Sequence, residues 1–528
     1  MFQASRLSLL DLGVILSYFA ILCVVGWFNT RRVLKARDHF LGGNSASWPK
    51  IGLALYASTI SATSLVGLTG SAYSTGIGVF NYEWPAAVVL TIFCAFVLPT
   101  YIRSQVFTVP EFLELRYGKF VRTYVSGLSV VLGIFLDGSG ALYAGAVLFQ
   151  ILFPDWPLWQ ICVLLALLAG AFLIAGGLRA IIAIESIQGL IMVVACASLA
   201  FFTFRAAGGI SHALSHVDPS HLKLVLPASD PSMPWTGLVT GVPLIGFYFW
   251  CTNQTMVQRV LAAKSLDEGR LGSLLGGALK LTNLFLVILP GAAAITLLPH
   301  LDRPDQVFSH ILFEILPHGL TGLIVAACLV SILSGLAGIY NATSTLLTMD
   351  FVRRLKPNLG ELDLVTIGKA ITVTIMILSI LWAPQITRFP NLWQYLQAVL
   401  SYFVPPIAAV FIGGLFIPRV NARGAGISLV VGTTSSIVLF YGIEFAHAIP
   451  LQFLVAAIVI FAIAFTALIV GSLTAPAPDR ERTRPLMFSM AIWQAETEHL
   501  RTVKWYKNYR ILSVGLLVLT FAVVVRFL

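Results

Sequence analysis

Apolar residues run through the chain in stretches of about twenty or more, each closed by charge, proline or glycine. A helix needs about 20 consecutive apolar residues to cross the hydrocarbon core of a bilayer. Fourteen stretches meet that length: 9–29, 50–74, 80–102, 123–152, 157–176, 180–206, 235–258, 271–299, 318–350, 364–384, 391–418, 424–444, 450–472 and 509–528. The runs are continuous, whereas a membrane β-barrel shows short segments of alternating polarity. Stretch 50–74 is the weakest, being rich in Ser, Thr and Gly, and the two longest predict bent or tilted helices. The pattern predicts an all-α polytopic membrane protein of about 14 transmembrane helices.

Composition removes the alternative. At 528 residues the chain would make three or four soluble domains, but only 11% of it is charged and mean hydropathy is +0.89. Soluble domains carry about 25% charge. The net charge of +10 would invite a nucleic-acid partner, yet its distribution argues for topology instead. Of the 33 Lys and Arg, 26 fall in alternate loops (30–50, 103–122, 179, 259–270, 353–369, 419–423 and 480–510) and 6 in the opposite set. By the positive-inside rule this bias places both termini outside the cytoplasm, in a plasma membrane (the inner membrane in a bacterium). The first stretch is not a signal peptide: Arg31, Arg32, Lys35 and Arg37 follow the apolar run instead of preceding it. All six cysteines fall inside spans, with no disulfide or zinc spacing. The longest interruptions are 207–234, an external loop, and 473–508, a cytoplasmic segment ending in Trp505-Tyr506-Lys507 that suits a membrane surface.

Ionisable groups at membrane depth are expensive, so each is a functional candidate. Glu83, Asp137, Glu185 and Lys280 qualify. Plain structural readings compete: Glu83 as an interfacial anchor, Lys280 in a helix-packing ion pair, Asp137 and Glu185 as structural partners or ion ligands. Two stretches combine small residues, hydroxyls and helix breakers, namely Ala57–Ser64 and Gly241–Gly246 with the following Phe249-Trp250-Cys251-Thr252-Asn253-Gln254. Interrupted helices in two halves of a chain point to a transporter site. Unwound carbonyls suit a hard cation, and indole and amide groups suit a neutral polar solute. Ser331 and Ser334, three apart, share one helix face, although small-residue helix packing also produces such serines. No Walker loop, HExxH, GxSxG or kinase signature is present, so ATP-driven transport and hydrolysis lack their machinery.

These motifs carry a resemblance. Phe40-Leu41-Gly42-Gly43, Gly67-Leu68-Thr69-Gly70-Ser71, Tyr82-Glu83-Trp84, Thr108-Val109-Pro110-Glu111-Phe112, Gly176-Gly177-Leu178-Arg179, Trp250-Cys251-Thr252-Asn253-Gln254 and Asn341–Asp350 follow one another in order. From about 9 to 475 the chain resembles the sodium:solute symporter family, in its sodium/glucose cotransporter branch. The resemblance implies two inverted five-helix repeats, 50–206 and 235–418, joined by the external loop 207–234. Around them stand a peripheral first helix with its loop (1–49) and C-terminal helices with the cytoplasmic loop (419–528). It implies alternating access that imports a sugar or polyol down a Na+ gradient, with no enzymatic step, no nucleic acid, the lipid bilayer as surroundings and a working monomer. The family's sodium site maps onto Ala57, Ile60, Ser331 and Ser334, but its second hydroxyl falls on Gly335, which has none. Its solute contacts map onto Glu83, Lys280, Trp250 and Gln397. Ser64 replaces a longer polar residue there, Phe249 an aromatic gate that is usually Tyr, and Asn253 and Gln254 extend the same segment. Asp137 replaces a neutral or basic residue and Glu185 an Asp, marking a possible second ion or proton site. H+ coupling, a non-sugar solute (sialic acid, inositol, a carboxylate) and a substrate sensor stay open as alternatives.

Overall fold

A computed structural model of the chain describes residues 7–30, 46–104, 106 and 109–528; within these, 22–30, 172–187, 189–190, 361 and 499 are described by backbone alone. The described residues form helices joined by short turns, with two isolated β-bridges (Ala46 to Ala263, Leu226 to Pro234) and no strand. The apolar stretches become α1 (Leu9–Thr30), α2 (Trp48–Thr59), α3 (Ala62–Thr75), α4 (Pro85–Ile92), α5 (Leu98–Ser104), α6 (Val109–Tyr117), α7 (Lys119–Leu132), α8 (Ser139–Gln150) and α9 (Leu158–Ala206). The second half supplies α10 (Trp235–Phe247), α11 (Gln254–Leu261), α12 (Leu266–Leu281), α13 (Leu289–Ala293), α14 (Leu320–Leu346), α15 (Glu361–Trp382), α16 (Leu392–Phe403) and α17 (Pro405–Phe416). Next come α18 (Ala422–Phe440), α19 (Phe453–Leu473), the short α20 (Met490–Thr502) and α21 (Tyr509–Val525).

Three differences from the sequence pattern have physical causes. Stretch 50–74 is two helices, because Ile60 and Ser61 are extended and Ser61 and Ser64 form a reciprocal capping box that starts α3. The expected interruption at Gly241–Gly246 does not occur there: α10 runs through Pro243 and breaks a few residues later, at Asn253. Stretches 157–176 and 180–206 are one helix, α9, with no proline inside it to interrupt the ladder. Among the described residues, seven helical units are long and apolar enough to span a bilayer, and α16 with α17, bent by 51° before Pro405-Pro406, makes an eighth. The figure of fourteen therefore rests on the sequence pattern alone.

Several long helices carry a π-helical turn: Phe93–Val97, Gly133–Gly138, Tyr248–Thr252, Leu284–Ile288 and Leu347–Val352 among them. Such turns insert one extra residue and are frequent at functional sites. Helix α2 lies along α12, and α9 along α14. Small residues permit the first contact: a Cβ on Gly52 would stand 2.6 Å from Leu275, and one on Gly272 would stand 2.6 Å from Ile51.

The first helix is tied to the bundle by one side chain. Asp11 is fully buried and accepts from the backbone N–H of Gly319 (2.6 Å) and Gly322 (2.9 Å), from His318 Nδ1 (2.9 Å) and from Ser8. It thereby satisfies the orphan donors at the start of α14.

Candidate functional site

The two helix breaks and the polar end of α12 supply most of the proposed site. Lys280 and Asn283 lie three apart at the end of α12 and share a face. Both turn inward to Glu83, which follows the 3-10 segment Gly76–Tyr82. Lys280 Nζ donates to Glu83 Oε2 at 2.7 Å and Asn283 Nδ2 to the same oxygen at 2.6 Å. Tyr56, near the end of α2, donates to Asn283 Oδ1 (2.9 Å) and lies 3.0 Å from Thr282 Oγ1. The pair is nearly dry, with side-chain exposures of 6% for Lys280 and 4% for Glu83. A buried charge must be paired and hydrogen-bonded to be tolerated, and this cluster meets both conditions. The sequence marked Glu83 and Lys280 but missed Tyr56, Thr282 and Asn283; the polar run Lys280-Leu281-Thr282-Asn283 carried the signal for two of these.

Two aromatic pairs lie on neighbouring elements, since the π turn Tyr248–Thr252 and α12 both contact α4 and Tyr82 precedes Glu83. Phe249 and Trp250, in the π turn that ends α10, meet edge to face at 5.2 Å. Tyr82 and Trp393 meet at 6.2 Å, with the Tyr82 hydroxyl and the Trp393 indole N–H both buried and without a partner among the described residues; neither was picked out from the sequence. Gln397 on α16 is buried and its Oε1 has no partner among the described residues. Ser64 is occupied in its capping box, donating to the Ser61 carbonyl at 2.9 Å. Asn253 caps α11 by accepting from Thr255 N at 2.9 Å, and Gln254 Oε1 accepts from Val109 N at 2.9 Å. The structure gives these last two side chains backbone-holding tasks and does not join them to Glu83.

The proposed cation ligands divide between two helices. Ala57 lies in the last turn of α2 and Ile60 stands in the break, where the extended backbone (φ −102°, ψ 92°) leaves the regular ladder. Ser334 on α14 donates its hydroxyl to the Ser331 carbonyl at 3.4 Å. Gly335 is exposed, and no atom lies within 4 Å of the point where its Cβ would stand. The α2 and α14 residues make no hydrogen bond to one another among the described residues. Their donor set is all oxygen and uncharged, which fits a hard monovalent ion. Asp137 sits in the π turn Gly133–Gly138 and is exposed. The side chain of Glu185 lies outside the described residues.

The sodium:solute symporter family model matches residues 39–432. The chain is 31% identical to sodium/glucose cotransporter 4 of Danio rerio, covering 90% of this chain and 80% of that one. It is 32% identical to sodium/myo-inositol cotransporter 2 of Oryctolagus cuniculus, covering 80% and 68%. A substrate-bound, outward-open Na+-coupled sialic acid symporter shares the fold, with a TM-score of 0.72 at 20% identity over 89% of this chain and 99% of that one. With its helical bundle, its two interrupted helices and these matches, the chain is a multi-pass membrane protein that belongs to the sodium:solute symporter family.

Proposed function

We propose that this protein imports a sugar or polyol with Na+ by alternating access. The observation that carries the reading is the buried Glu83–Lys280–Asn283 cluster of fixed charge and amide groups, with α12 and the π turn that holds Phe249 and Trp250 both packed on α4. Polyhydroxy solutes are held by such a mixture: hydrogen-bonding groups fix the hydroxyls and a ring covers the apolar face. Glu83 Oε1 and Gln397 Oε1 have no donor among the described residues and so stay available to solute hydroxyls. Relatives named for glucose and for myo-inositol support the same class of solute.

Sodium takes the carbonyls of Ala57, Ile60 and Ser331 and the Ser334 hydroxyl, in this reading, and Gly335 leaves that shell one oxygen short. Both termini face away from the cytoplasm, 50–206 and 235–418 act as the two repeats, and one chain suffices for transport. Proteoliposomes under an imposed Na+ gradient test the reading with labelled glucose, mannose and myo-inositol. Uptake is expected to collapse without Na+, and Gln397→Ala is expected to raise the solute KM about fivefold to tenfold, the loss of one hydrogen bond of ~1–1.5 kcal/mol. Uptake that follows a pH gradient and ignores Na+ refutes the choice of ion. An unchanged KM in Gln397→Ala refutes the pocket.

A further inference from the structure

Among the membrane-depth charges with described side chains, Asp137 stands apart. Glu83 is paired with Lys280, and Asp305 with Arg303. Among the described residues Asp137 has no cationic partner, and no donor reaches its carboxylate. It is nonetheless exposed, while Leu136 and Gly138 on either side of it are buried.

Helices of the bundle stand around it. Around Asp137, Gly133 abuts Thr343 of α14, Gly138 abuts Ser379 of α15 and Gly140 abuts Leu396 of α16. Tyr395 of α16 donates to the carbonyl of Phe135, two residues before Asp137, and itself stands two residues before Gln397. With helices on these sides and α16 carrying Gln397, Asp137 stands among the elements that supply the proposed solute site. An unpaired ionisable group at this depth faces a watery path or a ligand.

The ligand must bring positive charge or strong donors. A bare metal ion wants a shell of several oxygens, and here the neighbouring carbonyls are already taken. Ile134 O accepts from the hydroxyls of Ser139 (2.8 Å) and Ser379 (3.3 Å), and Phe135 O accepts from Tyr395. What remains is one carboxylate with no partner among the described residues. An alkylammonium is satisfied by such a group, through a charge-assisted hydrogen bond.

We infer that Asp137 determines specificity in the transport cavity by selecting solutes that carry a protonated amine, so that amine-bearing sugars or polyols are favoured over neutral ones. This rests on the reading of the cavity as a sugar or polyol site. It accounts for an acid where the resemblance leads one to expect a neutral or basic residue.

Glucosamine and glucose, each labelled, are the probes. Uptake into proteoliposomes holding the full chain is measured under an inward Na+ gradient at pH 6, where an amine with an ordinary pKa near or above 7.7 is protonated. The wild type is expected to favour glucosamine by about tenfold or more in kcat/KM, equivalent to ~1.4 kcal/mol. Asp137→Asn is expected to bring that ratio close to one, and Asp137→Glu to retain most of it. A wild type that favours glucose, or a ratio unchanged in Asp137→Asn, overturns the inference. An Asp137→Asn protein that loses the pH dependence of both uptakes but keeps the ratio also overturns it, and assigns the residue to proton movement. If the wild type takes up neither probe, nor mannose or myo-inositol, the sugar reading falls and this inference with it; uptake of the neutral solutes alone overturns only the inference.

Discussion

Replacing Lys280 by Met keeps most of the side chain's volume and removes its charge. Glu83 is then left as a carboxylate at 4% exposure with Asn283 as its remaining donor. Breaking a buried ion pair from one side costs about 3–5 kcal/mol. The Asn283 bond, made to a charged acceptor and worth about 1.5–3 kcal/mol, survives, so the lower end of that range, ~3 kcal/mol, is expected. Glu83→Gln with Lys280→Met removes both charges together. Its cost should be only ~1 kcal/mol, because no ion is stranded and Asn283 can still donate to the amide oxygen that replaces the carboxylate. The two changes should therefore be coupled by about 2 kcal/mol or more. Equilibrium unfolding in mixed detergent micelles, run on the wild type, both single variants and the double variant, measures that coupling. Single costs that add to within about 0.5 kcal/mol, or a Lys280→Met cost below about 1 kcal/mol, would refute the claim that this pair is dry and mutually dependent. Uptake should fail in all three variants, which separates the folding role of the pair from its part in holding solute.

Other outcomes follow from the same geometry. Gly335→Ser meets no atom within 4 Å at its Cβ, so it should fold normally and lower the Na+ concentration for half-maximal uptake about twofold to tenfold, as an added oxygen contact of ~0.5–1.5 kcal/mol would; an unaltered Na+ curve would remove Gly335 from the ion path. Asp11→Ala strips the cap from α14 and should destabilise the protein by about 2 kcal/mol, the upper end for a lost N-cap, with faster amide exchange at Gly319 and Gly322 as the local sign and unchanged exchange as the contrary result. Burial alone would raise the Glu496 carboxyl, but its bonds to Arg270, Tyr509 and Arg510 and the Arg270 charge hold it below the ordinary glutamate value. A depressed folded pKa means its contribution to docking α20 is complete above the ordinary value of 4.5 and is lost as pH falls through the lower folded value. The fluorescence of Trp493, stacked on Phe96 at 5.6 Å, should therefore hold steady down to about pH 4.5 and change below it, and Glu496→Gln should abolish that step.

Most of the helical framework was legible because lipid imposes one rule on every span, and α14, α15, α18 and α19 lie within a few residues of the apolar stretches that predicted them. The partners of the costly charges were not legible. Lys280 and Glu83 are 197 positions apart, and spacing along the chain says nothing about which helices will adjoin. Asp11 gave no signal at all, since one acid in the first turn of an apolar run looks like an ordinary helix start until the start of α14 arrives beside it. The break near Pro243 failed for a different reason. A proline's missing N–H can be absorbed inside a membrane helix by its neighbours, whereas Asn253 draws its own side chain onto the Thr255 N–H and starts a new helix. The break within Ala57–Ser64 was expected from its small residues and hydroxyls, whereas the capping box of Ser61 and Ser64 that starts α3 there was not.

The π turn Gly133–Gly138 also fixes the azimuth of everything beyond it. One surplus residue advances a helix by about 100°, so α7 and α8 present faces that a regular helix of the same sequence would hold out of phase. Losing one residue from 133–136 would leave a longer, straighter helix and turn Asp137 together with α8 by that angle relative to α7, without altering one side chain on α8. Between relatives, a one-residue gap in this stretch would therefore mean more than a change of amino acid, because it would mark a cavity lined by a different side of the same helix.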